Sequence, residues 1–131
     1  MDVLLDTCTL IWALTDDPRL SKKARDIIGN YDNHIFVSDI SLWEIEIKHI
    51  KNPSAMLFGS KKVINYIDLS GFDCLPLRCE HLFELSFVHQ QGIHNDPFDN
   101  YLLAMAKSEN MTLLTHDEKV AAYKGIKTIK Y

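Results

Sequence analysis

The chain predicts an α/β fold, a three-layer α/β/α sandwich around a central, mostly parallel sheet of four to five strands. Three observations lead there. Short, mostly continuous apolar runs recur along the sequence, the pattern of strands covered on both faces rather than on one. Segments of helical periodicity, each with its own start and stop residues, separate those runs, which is the alternation of a parallel sheet. At 131 residues and 47% hydrophobic content, the chain has the size of one domain over residues 1–131, with no repeat, low-complexity tract or linker to divide it.

Taken in order, Val3-Leu4-Leu5 is the first strand, and Asp6-Thr7 supplies capping chemistry for a helix through Leu14. Asp16-Asp17-Pro18 ends it. Ser21 caps a second helix over Lys22–Ile28, which Gly29-Asn30 stops. Ile35-Phe36-Val37 is the second strand, and Ser38 caps a helix from about Asp39 to Ile50, closed by Asn52-Pro53. Ser60–Leu69 is helical with Gly71 as its stop, Phe72–Leu77 fits a third strand, and Glu80–Gln91 one helix ended by Gly92. Asp96 caps a helix to about Glu109, with Pro97 at its first position. Met111–Thr115 and Ile126–Ile129 are the last strands, joined through a short helix over Asp117–Tyr123.

Several function classes fall away on composition. No apolar run approaches the roughly 20 residues needed to cross a bilayer. Met1-Asp2-Val3 carries an acid where an export signal carries positive charge. Cys8, Cys74 and Cys79 lack metal-binding spacing and are odd in number, as expected of reduced thiols in a cytoplasm. A packing role is expected for Cys74 and Cys79. A net charge of −4 does not advertise a nucleic-acid binder. Of 18 acidic residues, setting aside five that stand at element ends leaves 13 against 14 basic ones, so the remainder is nearly neutral. Lys22, Lys23 and Arg25, Lys48 with Lys51, and Lys61 with Lys62 read singly as solvated faces; together they could line a groove.

Those five acids are Asp6, Glu44, Asp96, Asp99 and Asp117, each where a strand ends or a helix begins. Lone carboxylates are costly to desolvate, so several near a core require positive charge among them. Oxygen ligands of this kind suit Mg²⁺ or Mn²⁺. In open α/β sheets ligands bind beyond the carboxyl ends of the strands, where Asp6 and Asp117 are expected. Each acid also has a bland role. Asp96 and Asp117 can cap helices, Asp99 can favour a helix dipole, and Glu44 can pair with Lys48. His94 and His116 adjoin proposed ligands, so zinc is conceivable, but carboxylates outnumber them; His94 is expected to satisfy its turn. Trp12 and Trp43 could stack on bases, although their helical spacing among apolar neighbours favours core packing.

Val-Leu-Leu-Asp6-Thr7, Val37-Ser38-Asp39-Ile40-Ser41-Leu42-Trp43-Glu44-Ile45, His94-Asn95-Asp96-Pro97-Phe98-Asp99 and Leu114-Thr115-His116-Asp117 resemble the PIN-domain ribonucleases, and among them the VapC-type toxins of bacterial toxin–antitoxin pairs. The resemblance runs nearly end to end, through Pro18-Arg19-Leu20-Ser21 and Ala104 and Ala106. It implies a PIN-like sandwich and a Mg²⁺-dependent endoribonuclease, with Mn²⁺ able to substitute. Catalysis would fall to Asp6, Glu44, Asp99 and Asp117, with Asp96 joining them around the metal and Thr7, Ser41 and Thr115 near the substrate. It further implies an RNA substrate cut to a 5′-phosphate and a 3′-hydroxyl, a cognate antitoxin, a homodimer and a cytoplasmic location. Asn100 departs from the arginine common there. The rivals are a receiver- or phosphatase-like phosphotransfer domain, a PIN-fold binding module without catalysis, and a housekeeping nuclease. Asp6-Thr7-Cys8 offers no second acid beside the first, as the phosphotransfer domains require.

Overall fold

A computed structural model describes all 131 residues. In chain order the elements are β1 (Asp2–Leu5), α1 (Thr7–Leu14), α2 (Lys22–Gly29), β2 (His34–Ser38), α3 (Asp39–Lys51), α4 (Ser60–Ser70) and β3 (Asp73–Leu75). There follow α5 (Cys79–Phe83), α6 (Leu85–Gln91), α7 (Pro97–Glu109), β4 (Thr112–Thr115), α8 (Glu118–Ala121) and β5 (Thr128–Lys130). The five strands form one sheet in the order β3-β2-β1-β4-β5, and every pair is parallel. β1 lies at the centre, with Leu5 opposite Val37 on one side and Leu114 on the other.

That order places the site. The chain steps outward from β1 through β2 to β3, then returns across the sheet to β4. Beyond the carboxyl ends of β1 and β4 the connections diverge, leaving the crevice in which open α/β sheets bind ligands. Alternate residues of the strands serve the two faces. Val3 and Leu5 of β1 join Leu10, Ala24, Ile45, Val63 and Ile67 in a core under α1, α2 and α4. Leu4 faces the other way, onto Val88, Leu102, Leu103, Met105 and Leu113, the core under α6 and α7. Helix α3 serves both, through Ile45 on one side and Ile40 on the other.

Four expectations are revised. The helix over Glu80–Gln91 is two, broken at Glu84, although no proline or glycine marks the break. Both pieces pack on α7. Buried His81 anchors the first, accepting the Arg78 N–H at Nδ1 and donating from Nε2 to Glu109 at 2.7 Å. Cys74 and Cys79 are exposed, as is Cys8, so none packs a core. Trp43 is 55% exposed, its ring meeting Phe98 edge to face at 5.3 Å, whereas Trp12 is buried as expected. Strands β3 and β5 are also shorter than their apolar runs, three residues each. No helix is long and apolar enough to cross a membrane.

Candidate metal centre

All five acids expected from the sequence line one cleft of about 470 Å³. Four segments deliver them. Asp6 ends β1 and caps α1, its Oδ1 accepting the Thr9 N–H at 2.8 Å. Glu44 projects from the second turn of α3, 12% exposed at its side chain. Asp96 caps α7, taking the N–H groups of Phe98 and Asp99 on one oxygen, and Asp99 rises from the first turn of the same helix. Asp117 follows β4 and caps α8 through the Lys119 N–H. The bland capping roles and the convergence on the cleft therefore hold together: a residue capping a helix just beyond a parallel strand already stands at the sheet's binding edge.

The three hydroxyls nearby divide their work. Thr115 donates to the free oxygen of Asp6 at 2.5 Å and accepts the Asp117 N–H at 3.0 Å, fixing the two acids relative to each other. Thr7 lines the cleft and donates to Ser41 at 3.0 Å; both are buried, and Ser41 stands behind the cleft wall rather than in it. Of the lysines, only Lys48 reaches the cleft, bound to Glu44 at 2.7 Å. Lys61 and Lys62 border a different hollow beside Glu46 and His49, and Lys22 is paired with Asp26. The expected basic groove thus reduces to one ammonium.

His94 enters the cluster instead of merely satisfying its turn. The turn is held by Tyr123, whose hydroxyl accepts the His94 N–H at 2.9 Å. The imidazole is left to meet Asp99 at 2.8 Å, with Asp117 at 3.9 Å. Ligand atoms of His94, Asp99 and Asp117 lie within 4.8 Å of one another, the tightest group of metal-ligating side chains in the molecule. Its place two residues before Asp96 hinted at this, but a turn histidine and a site histidine look alike in sequence.

The charges are poorly compensated. Burial pushes the Asp6 carboxyl up, against the hydrogen bonds of Thr115 and Thr9, and the charge of Asp117 pushes the same way. Burial likewise raises Asp99 to about 6, opposed by His94 and reinforced by Asp96 and Asp6. Cys8, between them, is pushed up to about 11 by desolvation and by Asp6, so its thiol stays protonated. Desolvation pulls Lys48 down, yet the Glu44 hydrogen bond and charge leave it raised, and its ammonium is committed to that partner. No lysine or arginine pairs with Asp6, Asp96, Asp99 or Asp117. A hard divalent cation fits such a donor set, with carboxylate oxygens in excess, one imidazole, and charge left over for it to offset.

The family model described as PIN domain matches residues 3–126. No curated protein matches the chain. Among solved structures, VapBC2 from Rickettsia felis, bound to a DNA fragment from its promoter, is 20% identical with a TM-score of 0.72, covering 99% of this chain and 98% of that one. DNA-bound VapBC from Salmonella typhimurium gives 17%, 0.71, 99% and 98%. A toxin–antitoxin complex from Klebsiella pneumoniae gives 21%, 0.65, 98% and 96%. At these identities the likeness is one of fold.

Proposed function

The chain belongs to the PIN-domain family, and from that premise we propose that residues 1–131 form a Mg²⁺-dependent endoribonuclease, the toxin of a toxin–antitoxin pair. The observation that carries this reading is the convergence of Asp6, Glu44, Asp96, Asp99 and Asp117 in one cleft whose only lysine is already tied to Glu44. Asp99 and Asp117, with His94 beside them, would hold the cation together with Asp6 from the end of β1; Glu44 and Asp96 would stand at its margin, one paired to Lys48 and one capping α7. Mn²⁺ satisfies the same ligands. When bound, the divalent cation supplies Lewis acidity, lowering the pKa of water and offsetting charge on the phosphoryl oxygens.

The remaining work belongs to the chain. The amino ends of α1 and α7 open onto the cleft and favour a phosphate there. Lys48, steered by Glu44, presents a cation at the wall. The His94–Asp99 pair, joined at 2.8 Å, accepts the proton of an attacking water. Thr115 keeps Asp6 and Asp117 in register, and the Thr7–Ser41 bond stiffens the wall under the substrate. By resemblance to the PIN-domain ribonucleases, water rather than the ribose 2′-hydroxyl is the nucleophile and the 3′-oxygen the leaving group, so the products carry a 5′-phosphate and a 3′-hydroxyl.

The VapBC structures of similar fold support an antitoxin as partner. Its arginine could take the uncompensated carboxylates bidentately. A homodimer in the cytoplasm completes the proposal. The test is incubation of the pure protein with total RNA, with and without Mg²⁺, and mapping of the cut ends. Growth on inducing this chain alone, against co-expression with the adjacent reading frame, tests the toxin role. Metal-dependent cleavage without growth arrest would leave a housekeeping nuclease; RNA binding without cleavage would leave a degenerate PIN-fold module.

A further inference from the structure

Resting on the reading of the cleft as a nuclease site, we propose that Trp43, steadied by Phe98, is a stacking platform for one unpaired nucleobase of the strand whose phosphate sits among the acids. Consecutive helix residues point about 100° apart, so the chain neighbours of the acids form a second surface beside the cleft. Glu44 and Asp99 turn into the cleft from α3 and α7. Trp43 and Phe98, each the residue just before, meet instead across the packed pair of helices, with ring centroids 5.3 Å apart and planes at 73°. The aromatic pair is thus one residue removed from the acids on both helices.

The indole is both open and steadied. Trp43 is 55% exposed, on a helix whose Ile40 and Ile45 are buried in the two cores. An edge-to-face contact covers at most one face of the indole, whichever ring offers its edge. No cation takes the other face, since the cation–π contacts of the chain lie at Trp12 and Phe87. Phe98 is anchored at its backbone, its N–H donating to Asp96 at 2.9 Å in the first turn of α7.

What the cleft lacks in charge selects the occupant. A strand held by its phosphates needs several lysines or arginines. Here Lys48 alone reaches the cleft, already tied to Glu44, on a chain of net charge −4. Stacking on an aromatic face adds affinity without charge and accepts any base, because every base has a π-face. A duplex keeps its bases stacked inside, so the platform takes a single strand. Ile50, two turns further along α3 and also exposed, continues the apolar face, so a second copy of this chain is the rival occupant. Seated over Trp43, that copy would bring a second set of uncompensated acids near the first, which an uncharged base does not.

The test measures binding in the Asp6→Asn background, which keeps the oligonucleotide intact, with Mg²⁺ present. A short single-stranded RNA is compared with a set in which one nucleotide at a time lacks its base. One abasic position should weaken binding roughly fivefold to a hundredfold, the range for one base stacked on an aromatic ring. Trp43→Leu, which keeps apolar bulk against Phe98 but has no ring face, should erase that difference, and Trp43→Phe should retain much of it. If Trp43→Leu does not fold, Trp43→Ala makes the same comparison at this exposed position. The slope of affinity against salt should be the same in parent and variant, because no phosphate contact is removed. Failure of the parent to bind, absence of any base-sensitive position, full sensitivity persisting in Trp43→Leu, or a shallower salt slope in that variant overturns the proposal. So does loss of sensitivity together with dissociation of a dimer in sedimentation, which assigns Trp43 to a second copy. Cleavage of RNA by the unmodified chain is scored separately. A chain that binds a base through Trp43 but never cuts refutes the nuclease reading and keeps the inference; one that cuts with its base sensitivity unchanged in Trp43→Leu does the reverse.

Discussion

Asp99 shows how much of this site is decided by single charges. Its folded pKa of about 6 exceeds the unfolded value of about 3.9, so the folded state binds more protons between those limits. The sign follows: in metal-free protein this group leaves stability highest below about pH 4, erodes it as pH rises to about 6, and changes nothing above. The loss is on the order of 3 kcal/mol. Urea denaturation in a chelator should show the stability difference between Asp99→Asn and the parent growing in the variant's favour from pH 4 to 6, then levelling. A flat difference would mean that Asp99 is not buried among acids as described. Asp6→Asn should bring RNA cleavage down to the level seen without metal while the fold survives, because asparagine still caps α1 through Thr9. Full cleavage by that variant at ordinary Mg²⁺ levels would remove Asp6 from the metal. Asp6 was legible in sequence because a charge directly after three apolar strand residues has no neighbour to explain it, and Asp99 because several acids at element ends converge on one sheet edge. The approach of His94 to Asp117 and the exposure of Trp43 were not, because each depends on a partner far along the chain: Asp117 and Phe98.

Element boundaries written in local chemistry were readable. Ser21, Ser38 and Asp96 cap the helices expected of them, and Gly71 and Gly92 end theirs in the left-handed conformation. The break between α5 and α6 was not readable, since its cause is tertiary. His81 is buried and spans from the Arg78 N–H to Glu109 on α7, 28 residues away. His81→Ala should therefore cost about 2–4 kcal/mol, combining lost packing with a stranded N–H and carboxylate, as read by the urea midpoint. A loss below 0.5 kcal/mol would show that the two short helices are held by α7 contacts alone. Gly125 makes a parallel case at the turn into β5. Its φ of +77° and the 2.7 Å approach of Phe87 to an added Cβ mean that Gly125→Ala meets both strain and a clash. It should lower the melting temperature by several degrees, where Gly29→Ala, in open space, should not.

At the scale of the molecule, the sheet order that puts β1 between β2 and β4 makes the cleft a junction of both layers. Asp6 and Asp117 leave the sheet itself, Glu44 comes from the helix shared by the two cores, and Asp99 from the helix that dominates one of them. The parallel sheet was legible from its apolar runs, but strand order was not, since no local residue type states which parallel neighbour a strand takes. A cation held by these segments exists only in the folded state, because unfolding separates ligands that are up to 111 residues apart in the chain. Binding must then stabilise the whole fold by RT ln(1 + [L]/Kd), roughly 1.4 kcal/mol at a tenfold excess over the dissociation constant. Offsetting the burial of the Asp6 and Asp99 carboxylates, and their repulsion by neighbouring acids, is part of that binding energy, so the gain should exceed anything Na⁺ produces at matched ionic strength. The melting temperature should rise steadily with millimolar Mn²⁺ or Mg²⁺. Asp99→Asn should melt higher than the parent without metal and respond less to it, reversing their order as metal is added. Parallel melting curves for the two proteins across the whole range of Mn²⁺ would mean that the acids meet without binding a cation, and the cleft would then be a charged groove rather than a metal centre.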